Sequence, residues 1–168
     1  MSLSMYQASV PTFVRQLQAL SVILDKALAH AQSTGLDPAQ LTTARLAPDM
    51  LPFTNQIFIA TDTAKGCAAR LAGVEAPVFA DSETTLPELQ ARIGKTLDFL
   101  KTFRPEQFDG SEERTVTLKL RSGEVSFTGL NYLQTFAMPN FFFHVTTAYG
   151  LLRQQGVPLG KLDFLGPR

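Results

Sequence analysis

The chain has 168 residues, of which 45% are hydrophobic and 18% are charged, and its 15 Lys and Arg residues balance 15 Asp and Glu residues. This length predicts one domain, residues 1–168, and the balanced charge without a dense basic run argues against a nucleic-acid partner. A lone cysteine excludes an intrachain disulfide. Because the N-terminus lacks the features of a signal peptide and no apolar run reaches the ~18 residues of a membrane span, we expect a cytoplasmic protein with no membrane partner.

Hydrophobic residues spaced alternately three and four apart predict two amphipathic helices in the first half of the chain. The first spans 8–34, with Pro11 near its first turn and Gly35 as its C-cap. The second spans 49–72, with Asp49 as its simplest N-cap and Gly73 at its end. Their inward positions are Val10, Phe13, Leu17, Leu20, Leu24, Ala27 and Ala31 in the first helix, and Phe53, Ile57, Ala60, Ala64, Cys67 and Leu71 in the second.

A third helix and a β-hairpin follow. Thr85 and Glu88 have the spacing of a capping box, which predicts a helix over 85–103 that stops before Pro105. The period then changes from about 3.6 to 2, which predicts a hairpin over 114–127 with Ser122-Gly123 as its turn. The hairpin face expected to pack on the helices consists of Val116, Leu118, Leu120 and Phe127.

The last predicted helix spans 129–155, and Thr128 is placed to cap its first turn. The inward stripe of this helix is Leu133, Ala137, Asn140, His144, Thr147 and Leu151. The four predicted helices together indicate an all-α fold, a bundle of four antiparallel helices with a small β-hairpin before the last helix.

Asn140 and His144 are polar residues inside this apolar stripe. Residues four apart on a helix lie on the same face, so the two side chains could form a hydrogen-bonded core pair or present two metal ligands. The chain has only two histidines, so a site with three histidine ligands is impossible. Gln56 lies on the inward flank of the second helix and could point toward His144. Asp62 is most simply a solvated or salt-bridged residue.

Three consecutive phenylalanines, Phe141 to Phe143, cover nearly the whole circumference of the last helix. At least one ring is therefore expected to face a subunit interface or a ligand cavity, although packing of all three in the core is an equal alternative. Cys67 lies on an apolar stripe, where a thiol behaves as a small hydrophobe rather than as a nucleophile.

Several segments resemble a bacterial and fungal family of unknown function within the DinB/YfiT-like metalloenzyme superfamily. They are LAPDM at 46–50, ARLAG at 69–73, the third predicted helix, and above all PNFFFHVTTAYGLLRQQGVPLGKLDFLG at 139–166. The resemblance implies an up-down-down-up four-helix bundle with a long connection. It also implies a homodimer, since dimers are usual in the superfamily, and the surplus of apolar side chains on the last helix favours the same expectation.

The resemblance also implies a central site. Many members of the superfamily bind a divalent metal through one histidine on helix 2 and an HxxxH pair on helix 4, and some are thiol-dependent transferases or isomerases. In this sequence His144 occupies the place of the second histidine of the pair and Asn140 that of the first. Gln56 or Asn55 occupies the place of the helix 2 ligand. Two of the three implied ligands are therefore amides.

Three hypotheses for function follow. The first is a small-molecule-binding bundle with a degraded metal site, in which Gln56, Asn140 and His144, with Asn55 and Asp49, form a polar pocket. The second is a divalent-metal-dependent enzyme, similar to thiol-linked transferases, in which His144 and an acidic residue such as Asp49 or Asp62 hold zinc or nickel weakly. The third is a structural homodimer. The sequence assigns no cofactor firmly and does not identify the small-molecule ligand.

Overall fold

Four long helical segments and one β-hairpin account for most of the chain in the computed structural model, which describes residues 3–120 and 123–166. The strands are β1 (Thr115–Leu120) and β2 (Gly123–Thr128). A 3-10 helix spans Pro105–Phe108, and a π-helical segment spans Tyr132–Ala137. The α-helices are α1 (Met5–Thr34), α2 (Pro38–Thr43), α3 (Phe53–Ala72), α4 (Leu86–Lys101), α5 (Gly129–Asn131), α6 (Met138–Gln154) and α7 (Lys161–Leu165).

The helix ends follow from local capping chemistry. Ser4 caps α1 in a capping box with Gln7, three residues earlier than predicted, and Gly35 ends α1 in the left-handed conformation. Thr85 caps α4 in the predicted capping box with Glu88, and Thr128 caps the last helical segment as predicted. The predicted ends at Gly35, Thr85 and Thr128 are confirmed, since each depends on residues within one turn of the cap.

The start of α3 differs from the prediction. Residues 49–52 form a turn and an extended segment, the helix begins at Phe53, and its N-cap is Pro52 without a side-chain hydrogen bond. The N-cap role expected for Asp49 is therefore wrong. Pro52 disfavours helical conformation in the residue before it, which stops the helix from extending back toward Asp49.

The hairpin is confirmed, but one residue of its predicted turn lies in a strand. Gly123 pairs with Leu120 and belongs to β2. Ser122, part of the predicted turn, and the side chain of Leu120 lie outside the described residues. Val116 and Leu118 are buried and Phe127 is half-buried, so these positions of the predicted inward face pack on the helices.

The last helical segment contains an unpredicted π-helical stretch at Tyr132–Ala137. A π-helix has more residues per turn than an α-helix, so the buried positions run 133, 137, 141 rather than 133, 137, 140. The main buried stripe of α6 is Phe141, His144, Val145, Ala148, Leu151 and Leu152. Asn140 and Thr147, predicted to face inward, lie half-buried at its flank.

Three contacts fix the direction in which α6 packs on α3. Tyr132 contacts Arg70, Asn140 contacts Thr63, and His144 contacts Gln56. The residue numbers on α3 fall as those on the last helical segment rise, so the two helices run antiparallel. The phenyl rings of Phe13 and Phe141 meet edge to face at 4.9 Å, which brings α1 into the same core.

The C-terminal segment folds back onto α1. Gln16 donates a hydrogen bond to the carbonyl of Phe164 at 2.8 Å, and Lys26 pairs with Asp163 at 2.6 Å. The two contacts hold the end of the chain against the first helix. None of the helices within residues 3–120 and 123–166 combines the length and hydrophobicity that a membrane-spanning segment needs.

Candidate functional site

A hydrogen bond between α3 and α6 joins two of the predicted site residues. Nδ1 of His144 lies 2.7 Å from Oε1 of Gln56, and both side chains are buried, with 8% and 1% of their surfaces exposed. The Gln56 amide nitrogen donates in turn to the carbonyl of Leu51 at 2.9 Å. Both the oxygen and the nitrogen of this buried amide therefore have hydrogen-bond partners, which hold it between the segment before α3 and the imidazole.

This arrangement selects one tautomer of His144. Because the Gln56 oxygen can only accept, Nδ1 carries the proton and donates it, which leaves the Nε2 lone pair unprotonated. Burial lowers the pKa of His144 from its ordinary value of 6.5, so the neutral imidazole is favoured. The site therefore presents a fixed, neutral nitrogen that can accept a hydrogen bond or a proton.

Asn140 makes a separate contact. Its Nδ2 donates to Oγ1 of Thr63 at 2.8 Å, seven residues along α3 from Gln56. Asn140 and His144 each bond to α3 rather than to each other, and their partners on α3 lie about two turns apart. Each of the two polar side chains in the apolar last helix therefore has a hydrogen-bond partner on the facing helix.

The other two residues of the predicted pocket lie apart from these bonds. Asn55 is half-buried, while its neighbour Gln56 is the residue that faces His144. Asp49 is exposed in the turn before α3. Asp62 forms ion pairs at 2.7 Å with Lys65 and at 2.8 Å with Arg92, as the salt-bridged alternative predicted.

The donor set does not fit a three-ligand zinc centre. Zinc in proteins is bound by imidazole, thiolate or carboxylate groups, whereas Gln56 and Asn140 offer neutral amides that are already hydrogen-bonded. In the part of the chain that the structure describes, no three His, Cys, Asp or Glu side chains are grouped closely enough to hold a metal ion. His144 is the residue best placed to be a metal ligand.

The three phenylalanines have different environments. Phe141 is fully buried, Phe142 is half-buried, and Phe143 is 55% exposed. Phe142 and Phe143 line an apolar groove of about 560 Å³ beside His144, together with Leu46, Thr146, Thr147 and Gly150. Cys67 is fully buried, and burial raises the pKa of its thiol, as expected for a core residue rather than a nucleophile.

Sequence reasoning missed a buried arginine on α4. Arg92 is completely buried, and its guanidinium bonds Thr61 and Asp62 on α3 at 2.8 Å each. It also reaches Asp81 at 2.9 Å and Glu83 at 3.2 Å in the connection between α3 and α4. The sequence did carry a signal for this site. Arg92 precedes Ile93 on the apolar side of the predicted helix, and its three carboxylate partners all lie upstream in the sequence.

The fold and site define a class of protein: a mostly helical chain with a small antiparallel hairpin and an imidazole–amide pair buried between two antiparallel helices. Residues 5–165 match the family described as Domain of unknown function (DUF1993), and the chain belongs to this family. This membership confirms the family inferred from the sequence motifs.

A solved structure is also similar along nearly the whole chain. It is the crystal structure of a DinB family member protein from Shewanella denitrificans, which is 40% identical in sequence and superposes with a TM-score of 0.92. The alignment covers 97% of this chain and 92% of that one. The chain thus resembles the DinB family in fold, as the sequence predicted. No curated protein matches it.

Proposed function

We propose that this chain is a single-domain, DinB-like four-helix bundle that binds a small molecule at a degraded metal site. The site consists of Gln56, Asn140 and His144, with Asn55 and Asp49 at its edge. In this proposal the two amides have replaced metal-binding imidazoles, and the remaining histidine binds a ligand through hydrogen bonding. The proposed compartment is the cytoplasm, and the single cysteine leaves no pair for an intrachain disulfide.

The observation that carries the proposal is the hydrogen bond between Gln56 and His144. A metal that drew the Gln56 oxygen away from Nδ1 would break a buried hydrogen bond, which costs about 1 to 3 kcal/mol. The same bond fixes the imidazole with Nε2 free to accept from a ligand. A bundle core with a few polar groups among apolar side chains is a common type of small-molecule site.

Calorimetric titration with zinc tests the degraded site. The unmodified chain is expected to bind no stoichiometric zinc, since one imidazole is too few for a tight site. The double variant Gln56→His with Asn140→His is expected to bind one zinc ion tightly. Histidine at 140 and His144 form an i, i+4 pair on a rigid helix, and histidine at 56 adds a donor from the facing helix.

A matched control uses the neighbouring amide. Asn55→His with Asn140→His introduces the same two imidazoles, but residue 55 is not the one that faces His144. This variant should bind zinc much more weakly than the variant built on Gln56. Tight one-to-one binding by the unmodified chain, abolished by His144→Ala, would overturn the proposal.

A second candidate is a divalent-metal-dependent enzyme, similar to thiol-linked transferases, that uses His144. The observation that favours it is the orientation of the imidazole, because metal-binding histidines usually donate their other ring N–H to an oxygen acceptor. Zinc or nickel would bind at Nε2. Metal binding by the unmodified chain in the titration above would favour this candidate.

We also propose that the chain forms a homodimer through the exposed apolar side chains near His144. Phe143 is 55% exposed, Leu46 is 53% exposed and Leu51 is 46% exposed. Covering large apolar side chains is favourable at roughly 25 cal/mol per Å². A second copy of the chain would remove this surface from water.

A further inference from the structure

A small cleft of about 220 Å³ opens between α3, β1 and the π-helical segment. Its polar walls are Asp62, Thr63, Arg70, Lys119 and Tyr132. The volume is that of about seven water molecules, at roughly 30 Å³ each, which suits a ligand of a few non-hydrogen atoms. π-Helical stretches are rare and are frequent at functional sites, and this one supplies Tyr132 to the cleft.

Two hydroxyl groups of the cleft have protons to donate. The Tyr132 hydroxyl oxygen accepts a hydrogen bond from Nη1 of Arg70 at 3.1 Å, and the Thr63 hydroxyl oxygen accepts from Asn140 at 2.8 Å. Within the described residues neither hydroxyl donates to an acceptor of its own. Burial raises the pKa of Tyr132 to about 12, so the phenol keeps its proton at neutral pH.

The guanidinium of Arg70 lies along α3 over Gly66, at the wall of the cleft. A Cβ atom at Gly66 would lie 2.5 Å from Nη1 of Arg70, so the missing side chain is what lets the guanidinium lie along the helix. Among the described residues Arg70 has no carboxylate partner, and most of its N–H groups remain unpaired. Tyr132 therefore orients a guanidinium whose charge is not neutralised.

Two cations and one carboxylate line the cleft. Lys119 contributes a second cation, which approaches Glu124 only at 3.8 Å across an exposed edge of the hairpin. Asp62 is the single acidic wall, and one of its oxygens already accepts from Lys65 at 2.7 Å and from Arg92 at 2.8 Å. Arg92 is shared with Asp81 and Glu83, and Lys65 is the cation that pairs with Asp62.

We propose that this cleft binds a small oxyanion, a carboxylate or a phosphate group, through Arg70, Tyr132, Thr63 and Lys119. All four groups present N–H or O–H donors, which is the complement of an anionic oxygen cluster. The inference does not depend on ligand binding at His144 and Gln56. Its test and the zinc titration can therefore fail independently.

Calorimetric titrations with sodium phosphate and sodium acetate, at constant ionic strength and neutral pH, test the inference. Saturable binding of at least one anion is expected, and Arg70→Gln should weaken it about tenfold or more, since the variant removes a charged hydrogen-bond donor. Tighter acetate binding assigns the site to carboxylates, and tighter phosphate binding assigns it to phosphate groups.

Two further variants distinguish binding at the cleft from non-specific attraction of anions to positive surface charge. Gly66→Ala keeps Arg70 but displaces its guanidinium, and it should weaken anion binding several-fold while alanine favours the helix. Arg15→Gln removes an exposed arginine on α1 that is not a wall of this cleft, and it should leave the affinity unchanged. The proposal is overturned if neither anion binds saturably, or if all three variants weaken binding equally.

Discussion

His144 is a neutral histidine in a largely buried position, and its protonation should be visible in stability. Burial lowers its pKa in the folded chain below the ordinary value of 6.5. Between the lowered pKa and 6.5 the unfolded chain binds more protons than the folded chain. The free energy of unfolding therefore falls as the pH drops through that window, and this component levels off below the folded pKa.

We predict that His144→Gln removes this pH-dependent component. Glutamine does not titrate, so the difference in unfolding free energy between the unmodified chain and the variant should shrink as the pH is lowered from neutral to below the folded pKa. Urea denaturation at a series of pH values measures it. A difference that stays constant with pH would show that His144 does not titrate on unfolding.

At the scale of elements, Arg92 joins three parts of the chain that have no continuous secondary structure between them. It bonds to the side chains of Thr61 and Asp62 on α3. In the connection that follows α3, it bonds to the backbone carbonyl of Ala80 and to the carboxylate of Glu83. The planar guanidinium can serve several acceptors at fixed angles. Arg92 thereby fixes the connection of 73–85 against the two helices that it links.

We predict that Arg92→Met destabilises the fold by roughly 2 to 4 kcal/mol. Breaking a buried ion pair typically costs 3 to 5 kcal/mol, and the lower figure reflects the partial exposure of Asp62 and Asp81. Lys101→Met is the matched control, since its pair with Asp98 is exposed at 3.7 Å and should contribute under about 1 kcal/mol. Chemical denaturation compares them, and equal losses would refute the role of Arg92.

At the scale of the whole molecule, the exposed apolar surface near His144 is the feature that the proposed homodimer uses. The run of three phenylalanines divides between core and surface, because a helix in contact with neighbours on one side cannot bury three consecutive rings. Phe143 is left facing outward beside Leu46 and Thr147. This division agrees with the expectation that at least one ring faces an interface or a cavity.

We predict that the unmodified chain sediments at twice 18.4 kDa and that Phe143→Glu shifts it to the monomer. A charge at this position would have to be desolvated in an apolar interface. Val78→Glu is the control, because Val78 is 94% exposed and lies away from the groove. Sedimentation of the unmodified chain as a monomer only, at tens of micromolar protein, would contradict the dimer.

The sequence by itself determined the presence of the long helices, the glycine C-caps of the first two and the buried stripes of those two helices. Every position of the predicted stripe of the first helix, from Val10 to Ala31, is buried, and Gly35 and Gly73 end α1 and α3 as predicted. These features are set by hydrophobic periodicity and by hydrogen bonds within a few residues, so they can be read from short windows of sequence.

Only the tertiary structure decided the register of α6 and the partners of its polar side chains. The π-helical stretch moves Asn140 to the flank of the buried stripe, and Gln56 rather than Asn55 meets His144. These contacts join residues 77 and 88 positions apart. Their geometry depends on how two whole helices pack, and a local pattern fixes the face of a helix but not the side chain that it meets.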